Sequence, residues 1–309
     1  MLTVHFSDNL PVLQATPSES VDLVYVDPPF NTGKTQSRTR LRTERVSGDE
    51  AGDRTGFQGR RYRTVKIGSM GYLDQFDDYL GFLEPRLAET RRVLKPDGSL
   101  FLHLDYREVH YAKVLLDGIF GRESFLNEII WAYDYGARSK TRWPAKHDNI
   151  LWYAKDPERY QFHLEECDRI PYMAPDLVGP EKAARGKTPT DTWWHTIVSP
   201  NGKEKTGYPT QKPLGILERI VKVHSRPGDT LMDFFAGSGT FGEAAALHGR
   251  DCILVDSNPE AIAVMMRRLA PYGVTLADRD PEIPTPRNPE IPESRNPDAP
   301  GSRNQKSDL

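Results

Sequence analysis

The stretch VDPPFNTGKT, residues 26–35, contains two sets of residues that could do chemistry. Its end, Gly33-Lys34-Thr35, is typical of a loop that binds a nucleotide phosphate. Such a loop needs a glycine five residues before the Gly-Lys-Thr, so that successive backbone N–H groups surround the phosphate. That position is Pro28, and neither it nor Pro29 has an N–H to donate. The sequence therefore disfavours a nucleotide-hydrolysing enzyme and leaves Asp27-Pro28-Pro29-Phe30 as the candidate site.

A second candidate is the stretch DFFAGSGT, residues 233–240, which contains Gly237 and Gly239. Glycines there let the backbone pass close to a ligand, and the start of a helix favours a negatively charged group. Asp256 comes nineteen positions after Gly237, where an acid can bind the two hydroxyls of a ribose. This order predicts a site for a cofactor that contains adenosine. With Gly242 the spacing also fits Gly-x-Gly-x-x-Gly, so a nicotinamide or flavin enzyme is still open at this point.

The residues around both stretches alternate between strand-like and helix-like patterns. Short apolar runs predict strands over 21–26, 99–105, 129–133, 150–154, 230–234 and 252–255. Helices are predicted over 79–94, 109–120, 213–224, 240–248 and 259–269. This alternation predicts an α/β fold with a doubly wound, mostly parallel sheet. Both candidate stretches then lie at the carboxyl end of a strand.

Three segments depart from this alternation. Residues 34–66 contain ten Lys or Arg against four Asp or Glu and have no periodicity, which predicts a mobile basic loop. Residues 155–205 are rich in proline, tryptophan and charge and predict an inserted module. Residues 271–309 contain the imperfect repeat EIPTPRNP and EIPESRNP with almost nothing to bury, which predicts a disordered tail.

The composition of the 309-residue chain limits the classes of protein it could be. Its formal charge is −3, so nucleic-acid binding would have to come from local basic clusters. The two cysteines, Cys167 and Cys252, are far apart and lack metal-ligand spacing, so neither a disulfide nor a metal site is expected. The sequence has no signal-peptide pattern and no run of about 18 apolar residues, so we expect a cytoplasmic protein without a membrane span.

The two stretches together resemble the signatures of the amino-methylating DNA methyltransferases, which make N6-methyladenine or N4-methylcytosine. The family's catalytic signature, Asp/Asn/Ser-Pro-Pro-Tyr/Phe, is matched by residues 27–30, and its cofactor signature, Phe-x-Gly-x-Gly, by residues 235–239. Further similar stretches are residues 7–10, 98–105, 150–155 and 206–213, so the resemblance covers about residues 1–270. The catalytic signature comes first, an order that resembles the permuted class β, which has a target-recognition domain between the two signatures.

The resemblance implies a Rossmann-like, S-adenosylmethionine-dependent methyltransferase fold with an inserted target-recognition region. Residues 1–154 would form its catalytic part, 155–205 the target-recognition insert and 206–270 the cofactor-binding part. The residues implied in catalysis are Asp27, Pro28, Pro29 and Phe30. The residues implied in binding S-adenosylmethionine are Asp8, Asn9, Thr210, Gln211, Lys212, Asp233, Phe234, Phe235, Ala236, Gly237, Ser238, Gly239, Thr240 and Asp256. Among them, Lys212 would help to hold the cofactor carboxylate, which suits its charge.

The resemblance also implies the chemistry. An exocyclic amine of a base is a weak nucleophile because its lone pair is delocalised into the ring. Hydrogen bonds from this amine to the Asp27 carboxylate and the Pro28 carbonyl would free that pair for in-line attack on a methyl group carried by sulfur. Phe30 would stack on the base, which must be flipped out of the duplex. Asp-Pro-Pro favours N6 of adenine in this class, although Asp27 would also serve N4 of cytosine.

Three other functions fit part of the sequence. A C5-cytosine methyltransferase needs a cysteine nucleophile, which in that family follows a proline, but neither Cys167 nor Cys252 follows one. A dinucleotide oxidoreductase would share the glycine spacing but gives no reason for residues 27–30. A DNA-binding protein without activity would not need the carboxylates of Asp27 and Asp256.

Double-stranded DNA is the expected partner. Two basic stretches could contact its phosphates, the loop 34–66 and a cluster around Trp143, because cations with aromatic residues among them suit phosphates and bases. The residues predicted to bind DNA are Lys34, Arg38, Arg40, Arg42, Arg138, Lys140, Arg142 and Lys146. We expect a monomer or homodimer that acts alone or beside a cognate restriction endonuclease.

Overall fold

The computed structural model describes residues 1–45, 54–55, 61–74, 76–136, 138–199 and 201–277. Its strands are β1 (Leu2–Phe6), β2 (Val21–Val26), β3 (Lys34–Arg45), β4 (Arg54–Thr55), β5 (Arg61–Asp74), β6 (Leu94–Leu104), β7 (Phe125–Ala132), β8 (His147–Ala154), β9 (Thr192–Trp194), β10 (Thr230–Asp233), β11 (Asp251–Asp256) and β12 (Val274–Leu276). Its α-helices are α1 (Asn9–Ala15), α2 (Tyr79–Val93), α3 (Val109–Phe120), α4 (Pro180–Arg185), α5 (Leu214–His224), α6 (Thr240–Leu247) and α7 (Pro259–Leu269). No helix within these residues is long and apolar enough to cross a membrane.

Within the described residues, nine strands form a central sheet in the order β12-β1-β11-β10-β2-β6-β8-β7-β9. Neighbours from β12 to β6 are all parallel, whereas β8 runs antiparallel to both β6 and β7. β9 runs parallel to β7. Because most pairs are parallel and helices connect the strands, the predicted α/β class with a mostly parallel sheet is confirmed.

Helices cover both faces of this sheet. Alternate residues of a strand point to opposite faces, and β2 follows this rule: Leu23 and Tyr25 belong to one hydrophobic cluster, and Val24 and Val26 to the other. Helices α5, α6 and α7 contribute to the first cluster, and α1, α2 and α3 to the second. Each strand in the centre is therefore buried on both sides, which explains the continuous apolar runs in the sequence.

The two strands that carry the candidate stretches are neighbours. β2 and β10 pair in parallel, with Leu231 opposite Leu23 and Met232 opposite Val24. Their carboxyl ends therefore meet at the same edge of the sheet. Asp27 directly follows β2, and Asp233 is the last residue of β10. Ligands of open α/β sheets bind outside this edge.

The prediction of a basic loop without secondary structure over residues 34–66 is wrong. β3 pairs in antiparallel register with β5, from Lys34 opposite Asp74 to Arg45 opposite Tyr62, and β4 adds a short third strand. The sequence contains the physical reason: over residues 38–43, arginines alternate with Thr39, Leu41 and Thr43, a period of two that suits a strand. Pairing also satisfies backbone groups that a count of charges ignores.

The predicted tail and the predicted insert also differ from the structure. The tail was expected to be disordered from residue 271, but β12 pairs in parallel with β1, and the Ala277 N–H donates to the Val4 carbonyl at 2.8 Å. The open edge of β1 offers unpaired backbone groups, which a short strand can satisfy. Residues 278–309 of the predicted tail lie outside the described residues. The insert 155–205 contributes β9 to the central sheet, so this segment is packed onto the main fold.

Candidate active site

The carboxylate of Asp27 lies directly beyond the end of β2. Its Oδ2 atom accepts a hydrogen bond from the Lys212 ammonium at 2.5 Å. Its Oδ1 atom is buried and has no hydrogen-bond partner among the described residues. Buried polar atoms of folded proteins are almost always paired. One oxygen of this carboxylate is therefore held in place, and the other is left for a donor from outside the chain.

The aromatic ring of Phe30 lies between two polar groups. The Lys212 ammonium is 4.8 Å from the centroid of this ring, and the centroid of the His103 ring is 5.9 Å away. A cation over an aromatic face is attracted by the quadrupole of the ring. Lys212 therefore contacts both the carboxylate and the ring of the catalytic stretch.

Asn31 directly follows residues 27–30, which form the predicted catalytic turn, and its hydrogen bonds hold the end of this turn. Its backbone has a φ of +52°, a left-handed conformation that asparagine adopts more readily than most residues. Its backbone N–H donates to Asp74 Oδ1 at 2.7 Å, and its side chain donates to Glu108 Oε1 at 2.9 Å. Its Oδ1 atom accepts from the Phe76 N–H at 3.0 Å. The turn is thereby tied to the last residue of β5, to the residue two positions after it and to the residue before α3.

A buried polar network lies beneath the catalytic turn. The Tyr25 hydroxyl is 2.7 Å from His103 Nδ1, and His103 Nε2 is 3.2 Å from Asp148 Oδ2. Tyr133 donates from its hydroxyl to the other oxygen of Asp148 at 3.1 Å. Burial favours the neutral form of Asp148, but the hydrogen bond from His103 lowers its pKa below the usual value. The network crosses from β2 through β6 to β8 and gives the site a rigid base.

The glycine loop connects β10 to α6 in a conformation that side chains would oppose. Gly237 and Gly239 have φ angles of +49° and +73°. A Cβ atom on Gly239 would lie 2.5 Å from Met265 Cγ, and one on Gly237 would lie 3.3 Å from Tyr208 Cε1. Glycine at these two positions is therefore required by the tight turn and by the close packing around it.

Two carboxyl groups adjoin this loop, the buried Asp233 and the half-buried Asp256. Asp256 accepts hydrogen bonds from the Gly237 and Asn258 N–H groups, both at 2.8 Å. Burial nevertheless raises the pKa of Asp256 to about 6. Burial also raises the pKa of Asp233 well above its usual value, and the nearby charges of Asp27 and Asp256 add to this effect. These shifts favour the neutral form of Asp233, whereas Asp256 is ionised above about pH 6.

A cavity of about 280 Å³ joins the catalytic stretch to the glycine loop. This volume is near the lower end of the roughly 300–1,000 Å³ that is typical of small-molecule sites. The predicted site residues that line it are Asp8, Asn9, Asp27, Pro29, Thr210, Lys212, Asp233, Phe234, Phe235, Ala236, Gly237, Ser238, Thr240 and Asp256. Among the described residues, no group of three His, Cys, Asp or Glu side chains could hold a metal ion.

Four of the residues predicted for catalysis or cofactor binding do not line this cavity: Pro28, Phe30, Gln211 and Gly239. The amide of Gln211 instead holds the preceding loop. Its Oε1 atom accepts from both the N–H and the hydroxyl of Thr206 at 2.8 Å, and its Nε2 atom donates to the Glu204 carbonyl at 2.7 Å. In this arrangement Gln211 shapes the loop that carries Thr210 and Lys212.

The family model N6_N4_Mtase, described as DNA methylase, matches residues 21–267 of the chain. This range includes both the catalytic stretch and the glycine loop. The chain belongs to this DNA methylase family.

Individual members of the family are similar over most of their length. The chain is 30% identical over 277 residues to the DNA adenine methyltransferase YhdJ of Escherichia coli (strain K12), a match that covers 86% of this chain and 82% of that protein. The crystal structure of the M1.HpyAVI–SAM complex has a TM-score of 0.56 at 20% identity and covers 87% of this chain and 99% of that one. The cytosine-N4-specific PvuII DNA methyltransferase has a TM-score of 0.57 at 18% identity and covers 86% of this chain and 86% of that one. The two structures share the fold of this methylase.

The structure adds cavity residues that the sequence did not indicate. An aromatic wall is formed by Phe76, Phe82 and Phe235, with ring centroids 4.6 Å apart for the first two and 6.0 Å apart for the last two. Tyr208 and Asn258 also line the cavity. Phe76 and Phe82 lie far from either signature in the chain, so no sequence pattern pointed to them. Only Phe235 was predicted, as part of the cofactor signature.

Asp8 and Asn9 support the cavity wall through α1 and α2. The Asp8 carboxylate accepts from the Leu10 N–H at 2.9 Å and so caps α1, and it pairs with Arg86 at 3.3 Å. The Asn9 side chain donates to the Phe234 carbonyl at 2.8 Å and accepts from Arg86 Nε at 2.6 Å. Both residues therefore line the cavity, and their contact with the cofactor stays a prediction.

The two predicted DNA-binding stretches leave the sheet near the catalytic edge. Lys34, Arg38, Arg40 and Arg42 belong to β3, which follows the catalytic turn. In the second stretch, Arg138, Lys140 and Arg142 are exposed, Lys146 is partly buried, and Trp143 is 95% exposed. The Tyr133 N–H donates to the Lys146 carbonyl at 3.0 Å, which closes the base of this loop. Because β7 runs parallel to β6 and β2, the loop after β7 starts at the same edge as Asp27.

Proposed function

We propose that this methylase transfers a methyl group from S-adenosylmethionine to the N6 amine of adenine in duplex DNA, after the adenine has been flipped out of the helix. The observation that carries the proposal is the buried, unpaired Oδ1 atom of Asp27 at a cavity that also contains the glycine loop. A buried oxygen without a partner is costly unless a ligand supplies the donor. An amine of a base is such a donor.

The residues of the cavity fit S-adenosylmethionine. The carboxyl groups of Asp27, Asp233 and Asp256 suit the positive charges of its sulfonium and ammonium groups. The Asp256 carboxylate would accept hydrogen bonds from the ribose hydroxyls, and the aromatic wall around Phe82 offers an apolar surface for the adenine ring. When bound, the cofactor supplies a methyl group on a positively charged sulfur, which leaves with the electron pair of the carbon–sulfur bond.

The catalytic role of Asp27 follows from its free oxygen. Oδ1 accepts a hydrogen bond from one N–H of the target amine, and the Pro28 carbonyl accepts from the other. These bonds make the lone pair of the nitrogen available for the new nitrogen–carbon bond. The nitrogen then has four bonds and a positive charge. It releases a proton, which the nearby carboxylate of Asp27 accepts as a general base.

Adenine is favoured over cytosine by the similarity to YhdJ, which is named as a DNA adenine methyltransferase, and by the Asp-Pro-Pro sequence. The cytosine-N4-specific PvuII enzyme has only the fold in common with this chain at its level of identity. Asp27 can receive the amine of either base, so N4 of cytosine is the alternative outcome of the experiment below.

The basic stretches support DNA as the substrate. Arg138, Lys140 and Arg142 are exposed on a loop that starts at the catalytic edge, where they can reach phosphates beside a flipped base. Trp143 in the same loop can stack on a base.

The proposal is tested by incubating the protein with S-adenosylmethionine labelled in its methyl group and with mixed-sequence duplex DNA, followed by nucleoside analysis. We expect label on N6 of deoxyadenosine. Label on N4 of deoxycytidine would replace the adenine assignment with the alternative, and transfer to neither base would overturn both. Asp27→Ala serves as the inactive control, because it removes the amine acceptor but leaves the glycine loop and Asp256 in place.

A further inference from the structure

Lys212 lies between the catalytic turn and the start of α6. Its side chain is 9% exposed, and its ammonium contacts Asp27 Oδ2 at 2.5 Å. Its backbone carbonyl accepts a hydrogen bond from the Thr240 hydroxyl at 3.3 Å, at the first residue of α6. The same residue therefore contacts the catalytic turn and the helix that follows the glycine loop.

We propose that Lys212 is a positioning residue for methyl transfer, whose ammonium orients Asp27 so that Oδ1 is the oxygen that receives the target amine. The inference rests on the proposed function of the site. It differs from the role that the family resemblance implies, which is to hold the carboxylate of the cofactor. The structure gives the ammonium a different carboxylate partner, the catalytic one.

The hydrogen bond from Lys212 sets the orientation of the Asp27 carboxylate. An ionised carboxylate has two equivalent oxygens that can exchange places by rotation about χ2. A charge-assisted hydrogen bond from Lys212 to one of them removes this freedom. The contact of the same ammonium with the Phe30 ring, at 4.8 Å, fixes the carboxylate relative to the aromatic residue of the catalytic turn. The acceptor for the amine is thus in place before the base enters.

Lys212 also supplies a positive charge beside Asp27. The titratable groups around Asp27 are the Lys212 ammonium, the carboxyl of Asp233 and the phenols of Tyr25 and Tyr79. Among these groups, Lys212 alone can carry a positive charge. Its ammonium is therefore the group among them that can attract one oxygen of the Asp27 carboxylate and leave the other for the amine.

The test compares Lys212→Met, which removes the charge at similar length, with Lys212→Arg, which keeps it. Lys95→Met is the matched control, because Lys95 binds both oxygens of Asp22 at 2.8 Å near the opposite end of the same strand, β2. For each variant, the single-turnover rate of DNA methylation is measured at saturating S-adenosylmethionine. The dissociation constant of S-adenosylmethionine is measured separately by calorimetry, and the melting temperature confirms that each variant is folded.

For Lys212→Met we expect a rate reduced about 100-fold, as for loss of one oriented electrostatic group in an active site. Lys212→Arg keeps the positive charge and should recover most of the lost rate. Lys95→Met should keep the wild-type rate. The affinity for S-adenosylmethionine should change little in all three variants.

Two results would overturn the inference. One is a Lys212→Met variant with weakened S-adenosylmethionine binding but a wild-type rate at saturation, which would mark Lys212 as a ligand of the cofactor carboxylate. The other is an equal loss of rate in Lys212→Met and Lys212→Arg, which would show that the positive charge is irrelevant. Both leave the proposed function intact, because the wild-type enzyme would still methylate DNA. A wild-type enzyme without transfer would instead overturn the proposed function, and this inference with it.

Discussion

The backbone N–H of Gly237 donates a 2.8 Å hydrogen bond to Oδ2 of Asp256. This bond joins the glycine loop after β10 to the carboxyl group at the end of β11, so the loop and the acid form one unit at the edge of the sheet. Its acceptor is also the group whose pKa burial raises to about 6. The geometry of the loop and the charge of the acid are therefore linked.

We predict that binding of S-adenosylmethionine weakens as the pH falls through about 6. The pKa of Asp256 is raised to about 6, so its carboxylate is present above that pH and is lost below it. Ribose hydroxyls donate more strongly to a carboxylate than to a neutral carboxyl, and hydrogen bonds to charged groups contribute about 1.5–3 kcal/mol. Calorimetry between pH 5 and 8 measures the effect.

Asp256→Asn should bind S-adenosylmethionine roughly 10- to 100-fold more weakly near neutral pH, which is the same free energy expressed as affinity. Its affinity should show no change near pH 6. Asp251→Asn, at the other end of β11, is the control and should keep the wild-type profile. An unchanged inflection in Asp256→Asn would assign the titration to another group.

Gly239→Ala should destabilise the fold more than Gly249→Ala. Both glycines have a φ of +73°, so both substitutions add a similar backbone strain. A Cβ on Gly239 would lie 2.5 Å from Met265 Cγ, whereas one on Gly249 would have Pro227 Cβ as its nearest neighbour, at 3.8 Å. We expect the free energy of unfolding to fall by about 1–3 kcal/mol more for Gly239→Ala, the usual effect of overpacking. Urea denaturation measures this difference, and equal losses would disprove the steric argument.

Asn31→Gly should slow methylation and lower stability. Glycine accepts the left-handed backbone of this position without strain, so the change isolates the loss of side-chain hydrogen bonds to Glu108 and Phe76. Each such bond contributes about 0.5–1.5 kcal/mol. Glu19→Gly is the matched control, because Glu19 also has a positive φ, of +54°, but its side chain only pairs with Lys155 on the surface.

We expect methylation by Glu19→Gly to match the wild type, whereas Asn31→Gly should turn over more slowly at saturating cofactor. The measurements are chemical denaturation and single-turnover kinetics. A normal rate for Asn31→Gly would mean that the catalytic turn keeps its shape without this residue.

Arg142→Ala should reduce the salt dependence of DNA binding. Each phosphate contact that is lost lowers the slope of log K against log salt by about 0.9 for duplex DNA. Arg122→Ala is the control, because Arg122 is 82% exposed but precedes β7, at the edge of the sheet opposite the catalytic turn. Fluorescence anisotropy over a range of salt concentrations gives both slopes. An unchanged slope for Arg142→Ala would remove this residue from the DNA interface.

The local patterns of the sequence were sufficient for most strands and helices around the site, although β1 and α1 were not predicted. The predicted helix over 109–120 coincides with α3, and the strand over 21–26 coincides with β2. Such elements depend on the periodicity of neighbouring residues, which a sequence displays directly. The sequence did not predict β3, β5 or β12, because the pairing of each depends on a strand that is distant in the chain or has only a weak hydrophobic pattern.

The sequence by itself determined that Asp27 follows a strand, that Asp256 lies at the end of one and that glycines precede α6, because tight turns and buried strands impose these residue types locally. It could not determine which charges face each other. Lys212 and Asp27 are 185 residues apart in the chain, but Lys212 Nζ lies 2.5 Å from Asp27 Oδ2. Phe82 contacts Phe235 only because α2 packs near the glycine loop. Long-range contacts of this kind arise when parallel strands bring their carboxyl ends to one edge, so only the tertiary structure decided the partner of the catalytic carboxylate.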